Sequence, residues 1–142
     1  MDKPALSGGC ACGKVRITIT AQPKRVGLCH CMTCRKSHGA AFNPFAVFAS
    51  QDVLIEGALK DWESSSGYRR SFCPDCGSHV VGFNNGEVEV SLGSLDRAGA
   101  LTPQYESWIG RREPWLSALA VPQYHHDRAP AAVEESREGG TG

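Results

Sequence analysis

The chain has 142 residues, with fifteen Lys and Arg against fifteen Asp and Glu, so its formal charge is zero and no strong field favours nucleic acid or an anionic membrane surface. That length suits one domain whose core folds unaided. The opening "MDKPALSGGCACGK" holds no apolar run of the signal-peptide kind and no segment approaches the roughly 20 apolar residues of a membrane span, which leads us to expect a cytoplasmic protein.

Sixteen glycines and eight prolines punctuate short apolar runs, an all-β pattern with very little helix. In chain order, "VRITIT" (residues 15–20) alternates with period two, "FAVFAS" (45–50) follows Pro44, "DVLIEG" spans 52–57, and "EVEVSL" (87–92) alternates again, each reading as a half-buried strand. One short helix is expected over "TCRKSHG" (33–39), with Thr33 as its cap and Gly39 as its terminator. From Asp127 onward, "DRAPAAVEESREGGTG" lacks aromatic residues and periodicity, so a single domain over residues 1–128 followed by a disordered tail over 129–142 is expected.

Seven cysteines in a reducing compartment point to metal or catalysis rather than disulfides, and their odd number would leave one thiol unpaired. Zinc lies about 2.3 Å from a thiolate sulfur in a tetrahedron, which sets sulfurs roughly 3.8 Å apart and demands tight turns between paired ligands. "CPDCG" (73–77) provides one, with Pro74 presetting the turn and Gly77 free to take positive φ. "CACG" (10–13) is a second, tighter pair that needs a bend, which Gly8, Gly9 and Gly13 permit. "CHCMTC" (29–34) places three thiols in one contiguous loop, so locality pairs Cys10 and Cys12 with Cys73 and Cys76 in a closed structural site and leaves Cys29, Cys31 and Cys34 as a trio.

A three-ligand zinc keeps a position for water or substrate unless His38, His30 or His79 fills it. Three thiolates make the site anionic and the zinc a weak activator of water, whereas a thiol entering the fourth position would be deprotonated and would stay electron-rich. Thiolate attack on a small electrophile is the chemistry favoured.

The segments "GGCACGKVR" (8–16), "CHCMTCRKSHGAAFNPFAVF" (29–48), "RSFCPDCGSHV" (70–80), "VSLGSLD" (90–96) and "WIGRREPWL" (108–116) occur in that order. Together they resemble the glutathione-dependent formaldehyde-activating enzyme family, also called the centromere protein V/GFA domain, over residues 7–128. This resemblance implies several small antiparallel sheets of the Mss4-like zinc-binding fold. It implies a structural zinc on Cys10, Cys12, Cys73 and Cys76 and a catalytic zinc on Cys29, Cys31 and Cys34. The activity it implies is a carbon-sulfur lyase reaction run in the synthetic direction, joining formaldehyde and glutathione as S-hydroxymethylglutathione.

A thiol such as glutathione carries carboxylates, for which Arg35, Trp108 and Arg111 are candidate contacts, although surface arginines are more often solvated and Trp108 and Trp115 more often core or wall. The partners expected are thus a small-molecule thiol and a small carbonyl, with no nucleic acid and no membrane, and the oligomeric state is open. A non-catalytic zinc-stabilised binding module and a thiol or metal sensor are the competing readings.

Overall fold

The computed structural model describes residues 5–128, so the tail expected over 129–142 lies outside the described residues. The described chain forms ten strands and one short α-helix. The strands are β1 (Leu6–Gly9), β2 (Arg16–Ile19), β3 (Arg25–Cys29), β4 (Asn43–Ala49), β5 (Val53–Glu56), β6 (Lys60–Ser65), β7 (Tyr68–Phe72), β8 (His79–Asn84), β9 (Glu87–Ser91) and β10 (Glu106–Ser107), with α1 at Met32–His38. Hydrogen bonding arranges them as a three-stranded sheet in the order β1-β2-β5 and a seven-stranded sheet in the order β10-β3-β4-β9-β8-β7-β6. The expectation of a mainly β protein with little helix therefore holds. Among the described residues, no helix is long and apolar enough to cross a membrane.

The described chain divides into two compact units, the first comprising residues 5–25 and 46–101 and the second residues 26–45 and 102–128. In the first unit, β1 and β5 flank β2 in antiparallel register, Gly8 facing Ile17 and Ile17 facing Ile55. The period-two pattern of β2 does its work here, since Ile17 and Ile19 are buried while Arg16 and Thr18 are not. From β6 to β9 the chain is an antiparallel meander, and Val88 and Val90 of β9 are buried as their alternation predicts. Strand β4 departs from the half-buried expectation, because Phe45, Ala46, Val47 and Phe48 are buried in succession, as in an interior strand covered on both faces. A continuous apolar run carries no period, so its second buried face was not legible.

The second unit is organised by a short parallel pairing in which Glu106 lies beside Leu28 and Ser107 beside Cys29. On its other side β10 meets the chain at Gln123 through the bonds Glu106 N–H to Pro122 O and Tyr124 N–H to Glu106 O. Phe45, Tyr105 and Tyr124 form an edge-to-face aromatic chain with centroids 6.1 and 5.9 Å apart. Gly27 makes room for it, since a Cβ at that position would lie 2.5 Å from the Tyr105 ring.

Phe48→Ala is expected to cost about 3–5 kcal/mol in urea denaturation of the metal-saturated protein, because it empties a fully buried ring site. Leu54→Ala, at an exposed position on β5, should stay within about 0.5 kcal/mol of the parent.

Candidate metal centres

The seven cysteine sulfurs gather into two clusters, Cys10 with Cys12, Cys73 and Cys76, and Cys29 with Cys31 and Cys34, and within each the sulfurs lie within 4.8 Å of one another. This is the partition expected from locality. In the quartet, Cys10 Sγ lies 3.6 Å from Cys12 Sγ and Cys12 Sγ lies 3.8 Å from Cys73 Sγ, close to the roughly 3.8 Å edge of a zinc-thiolate tetrahedron. No histidine nitrogen belongs to either cluster among the described residues.

Local backbone geometry builds the quartet. Between Cys73 and Cys76 the chain turns through Pro74 and Asp75; Gly77 donates its N–H to Cys73 O at 2.8 Å and takes φ of 78°, as the sequence requires. Cys73 N–H donates to Ser78 O at 2.9 Å, and Ser78 Oγ lies 3.2 Å from Cys76 Sγ. Ala11 N–H donates to the same hydroxyl at 3.1 Å, so one serine binds both arms of the site. Lys14 and Asp75 add an ion pair at 2.9 Å, exposed and therefore a minor contributor. Cys10 and Cys73 are buried while Cys12 and Cys76 face solvent.

In the trio, strand β3 delivers Cys29 and Cys31 caps helix α1, its sulfur accepting the Cys34 N–H at 3.3 Å. The expected cap, Thr33, lies inside the first turn instead. A sulfur placed for ligation can also receive the free N–H of a helix start, and this shifts the boundary by two residues. Cys31 N–H donates in turn to Cys29 Sγ at 3.4 Å. Both donors favour thiolate character in the sulfurs that receive them.

Crowding the sulfurs has an electrostatic cost. In the quartet the Ser78 hydroxyl and its backbone N–H pull the Cys76 thiol down to about 5. The Lys14 N–H acts to lower Cys12, yet burial and the neighbouring sulfurs push it up to about 11. Cys29 is driven far above the ordinary thiol range by its contacts with Cys31 and Cys34 and by burial. Neither cluster can carry all its sulfurs as thiolates unless a cation neutralises them. Donor type, spacing and N–H···S bonds all fit a zinc-like ion at each.

The candidate substrate contacts have mostly internal partners. Arg35 donates to Arg111 O at 2.7 Å and pairs with the Glu113 carboxylate. Trp108, with φ of 57°, donates its indole N–H to Asp127 at 2.8 Å and packs edge-on against His126 with centroids 4.8 Å apart. Arg111 is exposed. Trp115 is not a core residue, standing 71% exposed.

A network with no signal in the sequence lies beside the trio. His30, between two of its cysteines and only 1% exposed, reaches Glu106 Oε1 with Nε2 at 2.7 Å. Glu106, 2% exposed, also receives the Leu119 N–H at 2.6 Å, Gln123 Nε2 at 3.1 Å and the Arg112 guanidinium at 3.3 Å. Burial pushes the Glu106 carboxyl up, but these donors outweigh it and hold the group below its usual range. For His30, burial lowers the imidazole against the pull of Glu106, giving a neutral ring that donates Nε2–H to a carboxylate.

A family profile described as glutathione-dependent formaldehyde-activating enzyme matches residues 5–111. The chain belongs to that family. Among its relatives, a Schizosaccharomyces pombe protein named as an uncharacterized lyase is 27% identical over 85 residues, which is 59% of this chain. The match spans 62% of that relative's length. A crystal structure of a Rhodobacter sphaeroides protein superposes with a TM-score of 0.51 at 24% identity, covering 68% of this chain and 91% of the other, and shares the fold. Family and geometry converge on the cysteines, since all seven lie inside the matched region.

Cys31→Ser is expected to leave one tightly bound zinc per chain and an unchanged far-ultraviolet circular dichroism spectrum. Cys73→Ser should lose metal from the quartet and fall sharply in thermal stability, because a zinc held by all four sulfurs would contribute directly to folding. Metal content after dialysis and melting temperature read the two outcomes.

Proposed function

We propose that this protein is a zinc-dependent, carbon-sulfur lyase-type enzyme that adds a small-molecule thiol, glutathione or one like it, to formaldehyde or a related small carbonyl. The observation that carries the reading is the number of ligands at the trio: three clustered sulfurs with no fourth His, Cys, Asp or Glu donor grouped with them among the described residues, whereas the quartet supplies all four of its own. Family membership and the lyase name of the yeast relative support the same class.

Cys29, Cys31 and Cys34 are the proposed catalytic ligands, and the quartet is the proposed structural site. A zinc ion on the trio would supply a fourth position at which an incoming thiol loses its proton. In the reaction a bond forms between the thiol sulfur and the carbonyl carbon, the carbon-oxygen double bond becomes single, and the oxygen takes up the proton to give an S-hydroxymethyl adduct. The chain's own part is to hold three sulfurs in one geometry and to orient the substrate. For a carboxylate on the thiol, Arg111 is the proposed contact, because its side chain is exposed while Arg35 is paired with Glu113 and steadies the Arg111 carbonyl. Trp108 is proposed as wall rather than hydrogen-bond donor, since its N–H already serves Asp127.

Exchange NMR of formaldehyde with glutathione tests the reading. Zinc-loaded wild type should accelerate interconversion of free and adduct signals, and Cys31→Ser at equal concentration should return the rate to the uncatalysed value. Equal rates in the two samples would eliminate this substrate pair. Arg111→Ala should raise KM for glutathione about tenfold with little change in kcat if it binds a substrate carboxylate.

A further inference from the structure

We infer that Glu106 and His30 are positioning residues for the trio, acting from behind the Cys29–Cys31 loop to set the spacing of its sulfurs; the inference rests on the trio being a metal site. Between Cys29 and Cys31 the chain is close to extended, since β3 ends at Cys29 and Cys31 has φ of −63° and ψ of 155°. Alternate residues of such a chain face opposite sides, so Cys29 and Cys31 share one side and His30 takes the other. Whatever fixes His30 thus fixes the two sulfurs relative to each other.

What fixes it is a carboxylate with every acceptor direction used. Oε1 of Glu106 receives His30 and Arg112, and Oε2 receives the Leu119 N–H and Gln123. Glu106 is itself anchored by its backbone, paired with Leu28 on one side and with the chain at Gln123 on the other. His30 N–H adds a bond to Ser107 O at 3.1 Å, so main chain and side chain of the loop are both tied to β10. The ring also packs against Phe42, with centroids 5.8 Å apart.

Such an arrangement costs more than a simple core needs. A buried carboxylate with an arginine and a neutral imidazole is no more stabilising than apolar residues of similar shape, and shape alone would favour the latter. Directionality is what the carboxylate adds: only the His30 orientation that meets Oε1 at hydrogen-bond distance is allowed, and this restricts the loop to one placement. The same atoms hold residues 119 and 123, so the exposed stretch carrying Trp115 is rooted on the carboxylate that aligns the trio.

The test compares metal affinity at the two clusters, with the quartet as internal control. Wild type, Glu106→Gln and His30→Phe are loaded with cobalt, and a competing chelator is titrated while thiolate-to-cobalt absorption is followed. A chain with Cys29, Cys31 and Cys34 all changed to Ser supplies the quartet's curve by itself. Glu106→Gln places an amide among donors that need an acceptor, and His30→Phe keeps the ring and its packing on Phe42 while removing the donor. Both variants should weaken the trio about 10- to 100-fold and leave the quartet within about twofold of wild type. Unchanged trio affinity in both overturns the inference, as does equal weakening of both clusters, which would mark a general loss of stability. If Glu106→Gln does not fold, His30→Phe decides by the same criteria. A wild-type trio that takes up no cobalt removes the metal reading of the trio itself, a different failure from a trio that binds equally well in all three proteins.

Discussion

Mutual repulsion of crowded sulfurs is the constraint on which the rest of this structure depends. Cys12 and Cys73, separated by 61 positions in the chain, have their sulfurs 3.8 Å apart, a spacing that thiolates hold only around a cation. The turns at each arm, the shared Ser78 hydroxyl and the left-handed Gly77 all serve to deliver sulfur to that spacing. Neutralised, the quartet closes the first unit by joining the β1–β2 hairpin to the end of β7 without needing a larger apolar core.

In the second unit the equivalent constraint is a buried negative charge. Glu106 sits on the two-residue strand β10, too short to be stable by pairing alone, and gains permanence from donors that come from His30, Arg112, Leu119 and Gln123. Removal of any one partner leaves the charge less compensated, so sequence-distant parts of the unit are linked through it. On the reading proposed above, the three sulfurs on the Cys29–Cys34 loop would take their rigidity from that arrangement.

Chemistry follows from how many donors each cluster has. Four sulfurs would saturate a tetrahedral ion, whereas three would hold one with a place to spare. The chain belongs to the glutathione-dependent formaldehyde-activating enzyme family, and Arg35 and Trp108 both have internal partners. The exposed Arg111 and Trp115 precede Leu119 and Gln123, whose donors the Glu106 carboxylate receives.

By itself the sequence determined whatever depends on neighbours a few residues apart: the Cys73–Cys76 turn and its glycine, the strands around Ile17 and Val88 from their alternation, the short helix after Cys31, and the division of seven cysteines into four and three. Those signals are local because turn geometry, strand period and ligand bite are local. The tertiary structure decided the burial of β4 on both faces, the parallel pairing of β10 with β3, the internal use of Arg35 and Trp108, and above all the His30–Glu106 bond, whose partners lie 76 positions apart. A glutamate in "QYESW" reads as a surface residue, because the desolvation that makes it matter exists only after residues 30, 112, 119 and 123 have been brought around it.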